Sequence, residues 1–216
     1  SWTERTTVRL TNNDATTYTN PVVHLHVTYD SDMNTNFSDL RFTDQSGTTS
    51  IPYYIEKYST GSNADIWVKV PTLAGNATTP IFMYYKNISA STTTSSSTAT
   101  FIASDSFEDG NISEYSGDTS LFSVNTNHVD GGTYGLDNAG NTTARATNGI
   151  ARFDQTVSQG EQLRYKQYVN TSGGADEVCS MFGVQSPVTA IHNYGVCLEQ
   201  VVGQDYMAIV KNVDHS

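Results

Sequence analysis

Ile66, Val68 and Val70 share one face of an extended segment while Trp67 and Lys69 share the other, the two-residue period of a strand with one buried side. Nowhere does the chain sustain the i, i+3, i+4, i+7 spacing that would let a helix bury a stripe. That pattern restricts the chain to an all-β fold. Further short alternating or β-branched runs at residues 7–10, 22–28, 40–43, 53–56 and 81–85 are bounded by turn residues. Pro71 ends the run at 66–70 because it supplies no ladder donor.

Composition agrees with this reading. Ser and Thr together number 53 of 216 residues and Tyr 13, while charged residues make up 15%, against roughly 25% in an ordinary soluble domain. Thr, Tyr and Val suit a pleated, half-buried surface, and Ser, Asn and Gly fill the turns between strands. The net charge of -11 repels phosphate backbones and anionic lipid, which argues against nucleic-acid binding. No apolar run of 18 or more residues exists, and the opening SWTERTTVRL has neither a basic nor an apolar leader region. The chain reads as already processed, and any membrane association would come through segments not shown.

Two β-sandwich domains are expected. The first spans residues 1–90. Residues 91–100 fall within SASTTTSSSTAT, which has too little apolar mass to offset the entropy of ordering it and reads as a linker; the alternative is a polar edge strand. The second domain spans 101–216, with Gly-rich turns at Asp130-Gly131-Gly132 and Ser172-Gly173-Gly174. Its strands are expected at 121–124, 150–153, 162–169, 178–185, 194–201 and 206–210, a spacing suited to a sandwich or jelly roll.

Cys179 and Cys197 are the two cysteines. They are symmetric about Val188, inside the loop-like Ser186-Pro187-Val188-Thr189-Ala190, so a hairpin centred there sets them directly opposite and pairs Phe182 with Tyr194. Directly opposed residues come within about 4.5 to 5.5 Å at Cβ, close enough for a disulfide after local adjustment. A bridge implies an oxidising compartment; two packed free thiols are the alternative.

Several blocks occur in order: Trp2 and Arg5; Asp39-Leu40-Arg41-Phe42-Thr43-Asp44; Pro52-Tyr53-Tyr54-Ile55-Glu56; Ala64-Asp65-Ile66-Trp67-Val68-Lys69-Val70-Pro71; and Ile81-Phe82-Met83-Tyr84-Tyr85-Lys86-Asn87. Over residues 1–91 this series resembles the domain of unknown function numbered 2341, found in archaeal and bacterial surface proteins. The family usually closes the last block with Tyr-Gly-Asn; Lys86 in place of Gly speaks against a positive-φ turn there. The resemblance implies an extracellular β-sandwich-like module and carries no catalytic residues. The second segment resembles a concanavalin A-like or laminin-G-like jelly roll through Asp105-Ser106-Phe107-Glu108-Asp109-Gly110 and the hairpin around Val188. It is shorter than such domains commonly are, so it either lacks strands or is a compact variant.

Asp105, Glu108 and Asp109 offer hard oxygens for a structural calcium, with a solvated acidic turn as the alternative. Asp30 and Asp32 in Tyr29-Asp30-Ser31-Asp32, and Asp205, read as turn chemistry. His24 and His26 share a strand face, yet a metal would need a third ligand that the sequence does not locate. Glu199 is unpaired in any Glu-X-Asp arrangement, and no G-x-S-x-G or H-E-x-x-H occurs, so no catalytic residue is assigned and no enzyme is expected. Six N-x-S/T sequons, at Asn36, Asn76, Asn87, Asn111, Asn141 and Asn170, are able to accept glycans in a secreted protein.

These features point to an extracellular, cell-surface structural or adhesive protein that self-associates or binds other envelope proteins, in a layer or filament. The alternative is a carbohydrate-binding module stacking sugars on Tyr115, Tyr165, Tyr168 or Tyr194; a glycoside hydrolase ranks third.

Overall fold

The alternation at 66–70 is realised as a strand buried on every second residue, with Ala64, Ile66 and Val68 each at 0% exposure. The computed structural model describes residues 1–90, 93–117, 119–127, 129, 132–138, 150–152, 164, 176–182, 193–201 and 204–212. The chain divides into two units, Ser1–Ser104 and Asp105–Ser216. The first contains β1 (Glu4–Asn12), β2 (Tyr18–Thr19), β3 (Val22–Thr28), β4 (Arg41–Thr43), β5 (Tyr53–Ser59), β6 (Asn63–Lys69), β7 (Thr72–Leu73), β8 (Ala77–Tyr85) and one turn of helix, α1 (Ser97–Thr100).

Two antiparallel sheets, ordered β1-β8-β4 and β3-β6-β5, bury one face each, and β2 pairs with β7. Their inner residues form a single cluster: Val27 from β3, Phe42 from β4, Tyr53 from β5, Ile66 and Val68 from β6, and Ile81 and Met83 from β8. Burial of each such side chain is worth about 1.5–3 kcal/mol, enough in sum to hold two three-stranded sheets that neither could stabilise alone. The fold is therefore all-β and sandwich-like, as the alternation requires.

The segment between β3 and β4 adds Met33, Phe37 and Leu40 to this core. It is fixed by Asp39, itself fully buried, whose Oδ1 accepts the Asn34 N–H at 3.0 Å and whose Oδ2 accepts those of Lys86 and Asn87 at 2.8 and 3.2 Å. One carboxylate thus joins the start of the loop to the end of β8. Trp2 Nε1 donates to the Asp39 carbonyl, and its ring lies 4.9 Å from the Arg41 guanidinium. Arg41 in turn donates to the Ser38 and Leu40 carbonyls.

Lys86 has φ +62°, so the positive-φ turn is present although Lys replaces the expected glycine. The reason is the pair of N–H groups that this conformation aims at Asp39. Lys86 Nζ also lies 3.0 Å from Asp32 and 3.4 Å from Glu4, an exposed pairing that screening leaves weak. Because left-handed backbone disfavours any Cβ, Lys86→Gly should be more stable than Lys86→Ala by about 1 kcal/mol. Urea denaturation of the two variants measures this, and equal midpoints would show that the turn carries no strain.

The Ser/Thr tract expected as a linker over 91–100 lies along β5 from residue 93 onward. Thr93 and Thr94 hydroxyls bond the Tyr53 hydroxyl, Ser95 Oγ accepts the Ile55 N–H at 2.8 Å, and Ser96 N–H donates to the Tyr53 carbonyl at 2.9 Å. Ser96 then caps α1, Thr100 is fully buried, and Phe101 packs edge-on against Tyr54 and Trp67. The expectation rested on apolar mass. What orders the tract instead is backbone and hydroxyl bonding to a strand edge.

The second unit contains β9 (Tyr115–Gly117), β10 (Phe122–Asn125), β11 (Gly135–Asn138), β12 (Ile150–Arg152), β13 (Asp176–Phe182), β14 (Asn193–Val201) and β15 (Gln204–Asn212). β9 pairs with β12, β10 with β11, and β13-β14-β15 form an antiparallel meander. The register sets Cys179 opposite Cys197 and Phe182 opposite Tyr194, as the symmetry about Val188 anticipates. The strand expected at 162–169 lies outside the described residues, apart from Arg164.

Candidate functional site

The outer face of the β3-β6-β5 sheet concentrates the titratable and aromatic side chains of the first unit. Alternation on β3 turns His24 and His26 outward, and the β3/β6 register sets them opposite Trp67 and Asp65. Asp65 Oδ1 lies 3.2 Å from His24 Nε2 and 3.0 Å from His26 Nδ1, and Lys57 Nζ is 3.6 Å from Oδ2. The His26 hydrogen bond, aided by the Lys57 and His24 charges and opposed by desolvation, holds the Asp65 carboxyl below its ordinary pKa.

Beside this cluster runs an aromatic row. The His24 ring is 4.8 Å from Trp67, Trp67 is 5.9 Å from Phe101, and Phe101 is 5.7 Å from Tyr54. Trp67 Nε1 donates to Glu56 Oε2 at 2.9 Å. A strip of tilted and edge-on rings, flanked by carboxylates and imidazoles, is thereby held on the sheet.

The strand edges differ in cover. β5 is bulged between Ile55 and Lys57 and carries the tract at 93–96; β4 is short and continued by the Thr43–Ser50 bridge. On the other side, β1 and β3 end their sheets, and among the described residues no further strand pairs with either. β1 carries Glu4, Arg5 and Arg9, with the Arg5 guanidinium 4.4 Å from the Phe82 ring. β3 carries no Asp, Glu, Lys or Arg.

Sequence reasoning placed His24 and His26 together and stopped for want of a third partner. That partner, Asp65, comes from a strand that is remote in sequence, so only the β3/β6 pairing reveals it. Both imidazoles approach the same carboxylate oxygen, which leaves that oxygen, not a gap, at their centre. Among the described residues no three His, Cys, Asp or Glu side chains are disposed to hold a metal ion.

The acidic motif opening the second unit is not gathered into one cluster. Asp105 Oδ1 accepts the Phe107 N–H at 2.7 Å, Asp109 Oδ1 accepts the Asn111 N–H at 3.2 Å, and burial raises the Asp105 carboxyl above its ordinary pKa. Glu108 instead reaches across to Thr133 and Tyr134, whose N–H groups donate to it at 2.9 Å each. Gly132, at φ +83°, allows this approach, since a Cβ there would sit 2.3 Å from Glu108 Oε1. Asp105 and Asp109 therefore each act on their own turn, while Glu108 fixes the remote backbone at Thr133 and Tyr134.

The bonds from Tyr134 and Thr133 hold the Glu108 carboxyl below its ordinary value. A lowered folded-state pKa stabilises above the unfolded value of about 4.3 and loses that contribution as the pH falls through the folded value. Glu108→Gln should therefore be less stable than wild type at pH 7 and lose less on acidification to pH 3. Melting curves of the second unit's transition across that range test it, and parallel pH slopes for the two proteins would contradict it.

Asp30 and Asp44 close short turns of the Asx kind, with Asp30 Oδ1 accepting the Asp32 N–H. Asn36 and Asn111 use their side-chain oxygens the same way, toward Ser38 and Ser113. Asn76 sits exposed at positive φ beside a shallow polar cleft of about 270 Å³ lined by Thr11, Asn12 and Thr78, and Asn87 is half-buried. Asn141, Asn170, Tyr165 and Tyr168 lie outside the described residues. Tyr115 is half-buried, with its ring 6.1 Å from Phe107, while Tyr194, Glu199 and Asp205 are placed here only by strand position, on β14 and β15.

The buried Asp39, the Arg41 clamp and the turn at Lys86 tie the blocks of the first segment together. Residues 36–119 match the family model described as a domain of unknown function (DUF2341). The DUF2341 match begins after β3 and takes in β4 to β8, the Ser/Thr tract and β9, whereas the resemblance was expected over 1–91. Trp2, Arg5 and the histidine pair on β3 lie outside it. No curated protein and no solved structure matches the chain.

Proposed function

We propose that this chain is an extracellular cell-surface protein that acts by assembling with further copies of itself or with other envelope proteins. The observation that carries the proposal is the asymmetry of the sandwich edges: β4 and β5 are continued or covered, while β1 and β3 have unfilled ladders among the described residues. An uncovered edge is a ready template for another strand. The low charge content and the six sequons favour an extracellular setting, as does the opposed cysteine pair, which we take to be a disulfide. On the same reading the second unit is a jelly-roll-like domain.

Electron microscopy of the purified full chain in native salt tests this. Ordered layers or filaments are expected. A chain that stays monomeric at every concentration and salt condition would refute the assembly role.

The Trp67, Phe101 and Tyr54 row flanked by Asp65 and Glu56 supports a second reading, sugar binding, because rings and carboxylates at this spacing suit the faces and hydroxyls of a pyranose. A glycan array comparing wild type with Trp67→Ala would show loss of signal on this reading, and silence of the wild type across broad sugar classes would exclude it.

A further inference from the structure

We infer that the open edge of β3 is a self-pairing interface, joining two copies of this chain antiparallel about Leu25, and that acid opens it through His24 and His26. The inference rests on the assembly reading and names its contact.

The hydrogen-bond pattern identifies which groups are free. Flanking β3, Tyr29 N–H donates to the Ser62 carbonyl and Val70 N–H donates to the Pro21 carbonyl. Continued through the register, this commits the odd-numbered residues of β3 to β6. The N–H and C=O groups of Val22, His24, His26 and Thr28 consequently point away from β6, and no described residue bonds them.

A second β3 laid antiparallel with Leu25 opposite Leu25 pairs Val22 with Thr28 and His24 with His26, residues that are all edge-directed. Every free group finds its complement, giving about eight inter-strand hydrogen bonds. The same register preserves the faces. Val23, now half-buried, meets Val27, and the apolar inner layer continues across the junction. A two-fold axis makes this contact closed and self-complementary. β1 fits poorly by comparison, because the equivalent face-preserving registers bring Arg5 or Arg9 next to their counterparts.

The charge around the junction sets its pH response. Apart from its two histidines, the interface strand has no ionisable side chain. Protonation places His24 directly opposite the partner copy's His26, twice. The groups facing these imidazoles are Asp65, Trp67 and Lys69 from β6 and Glu56 and Lys57 from β5. Glu56 is engaged by Trp67, and Asp65 already pairs with Lys57, so one carboxylate is left to answer two imidazolium ions in each copy. Like charges directly opposite destabilise a strand pair, so acidification from pH 7.5 to pH 5 should part the copies.

Sedimentation velocity of the full chain at pH 7.5 and pH 5, up to about 100 µM, decides the matter. A concentration-dependent dimer is expected at pH 7.5, with Kd rising on the order of tenfold or more at pH 5. His26→Pro removes an edge N–H without touching the ladder to β6 and should be monomeric. His24→Lys with His26→Lys should also be monomeric, and guards against misfolding of the proline variant. His24→Gln with His26→Gln should dimerise at both pH values. A wild-type monomer at pH 7.5, a dimer unaffected by either disrupting variant, or an acid response retained in the double Gln variant would overturn the inference. Polymers formed equally by wild type and His26→Pro would sink the β3 interface while leaving assembly standing.

Discussion

Asp39→Ala is expected to cost the first unit about 3–4 kcal/mol, because three N–H groups lose their buried acceptor at once. The loss is larger than that of a typical single hydrogen bond, for the donors come from both the loop before β4 and the end of β8. Asp39→Asn keeps the shape but offers one acceptor oxygen, so about half that loss should follow. Both tryptophans, Trp2 and Trp67, lie in the first unit, so urea denaturation followed by tryptophan fluorescence reports on that unit alone. A change below about 1 kcal/mol for Asp39→Ala would mean that water or a relaxed loop satisfies those donors.

Removal of the proposed Cys179–Cys197 bridge should have the next largest effect, about 3 kcal/mol on the second unit, from the loop-closure entropy of the residues between them. The β13/β14 register sets the two positions directly opposite each other, where a bridge can form. Cys179→Ser with Cys197→Ser should unfold at lower urea than wild type, followed by far-ultraviolet circular dichroism. Wild type plus dithiothreitol should coincide with the variant. If denatured wild type without reductant presents two titratable thiols, no bridge exists and the effect vanishes.

Much of the architecture could be read from residue order. The two-residue period at 66–70 and the symmetry of the cysteines about Val188 are local signals, and both translate into the observed strands and register. The short strands β2 and β7 carried no such signal, since two residues cannot display a period. The candidate site was only half readable. His24 and His26 announce a shared face because they lie on one strand, whereas Asp65 joins them through a pairing between β3 and β6, with β4 and β5 lying between them in the chain. Lys86 shows the opposite failure: its identity argues against left-handed backbone, and the demand of Asp39 for two adjacent N–H groups overrides that preference.

The tract at 93–100 has one more implication. Cutting the chain at residue 90, where composition changes, would retain all eight strands of the sandwich and still produce a different molecule. The Tyr53 carbonyl and the Ile55 N–H would face solvent, the Tyr54 and Trp67 rings would lose Phe101, and a third adhesive margin would open beside β5. A stretch of low-complexity sequence here serves as the selvedge of a sheet, covering the β5 edge that would otherwise stand open to another strand.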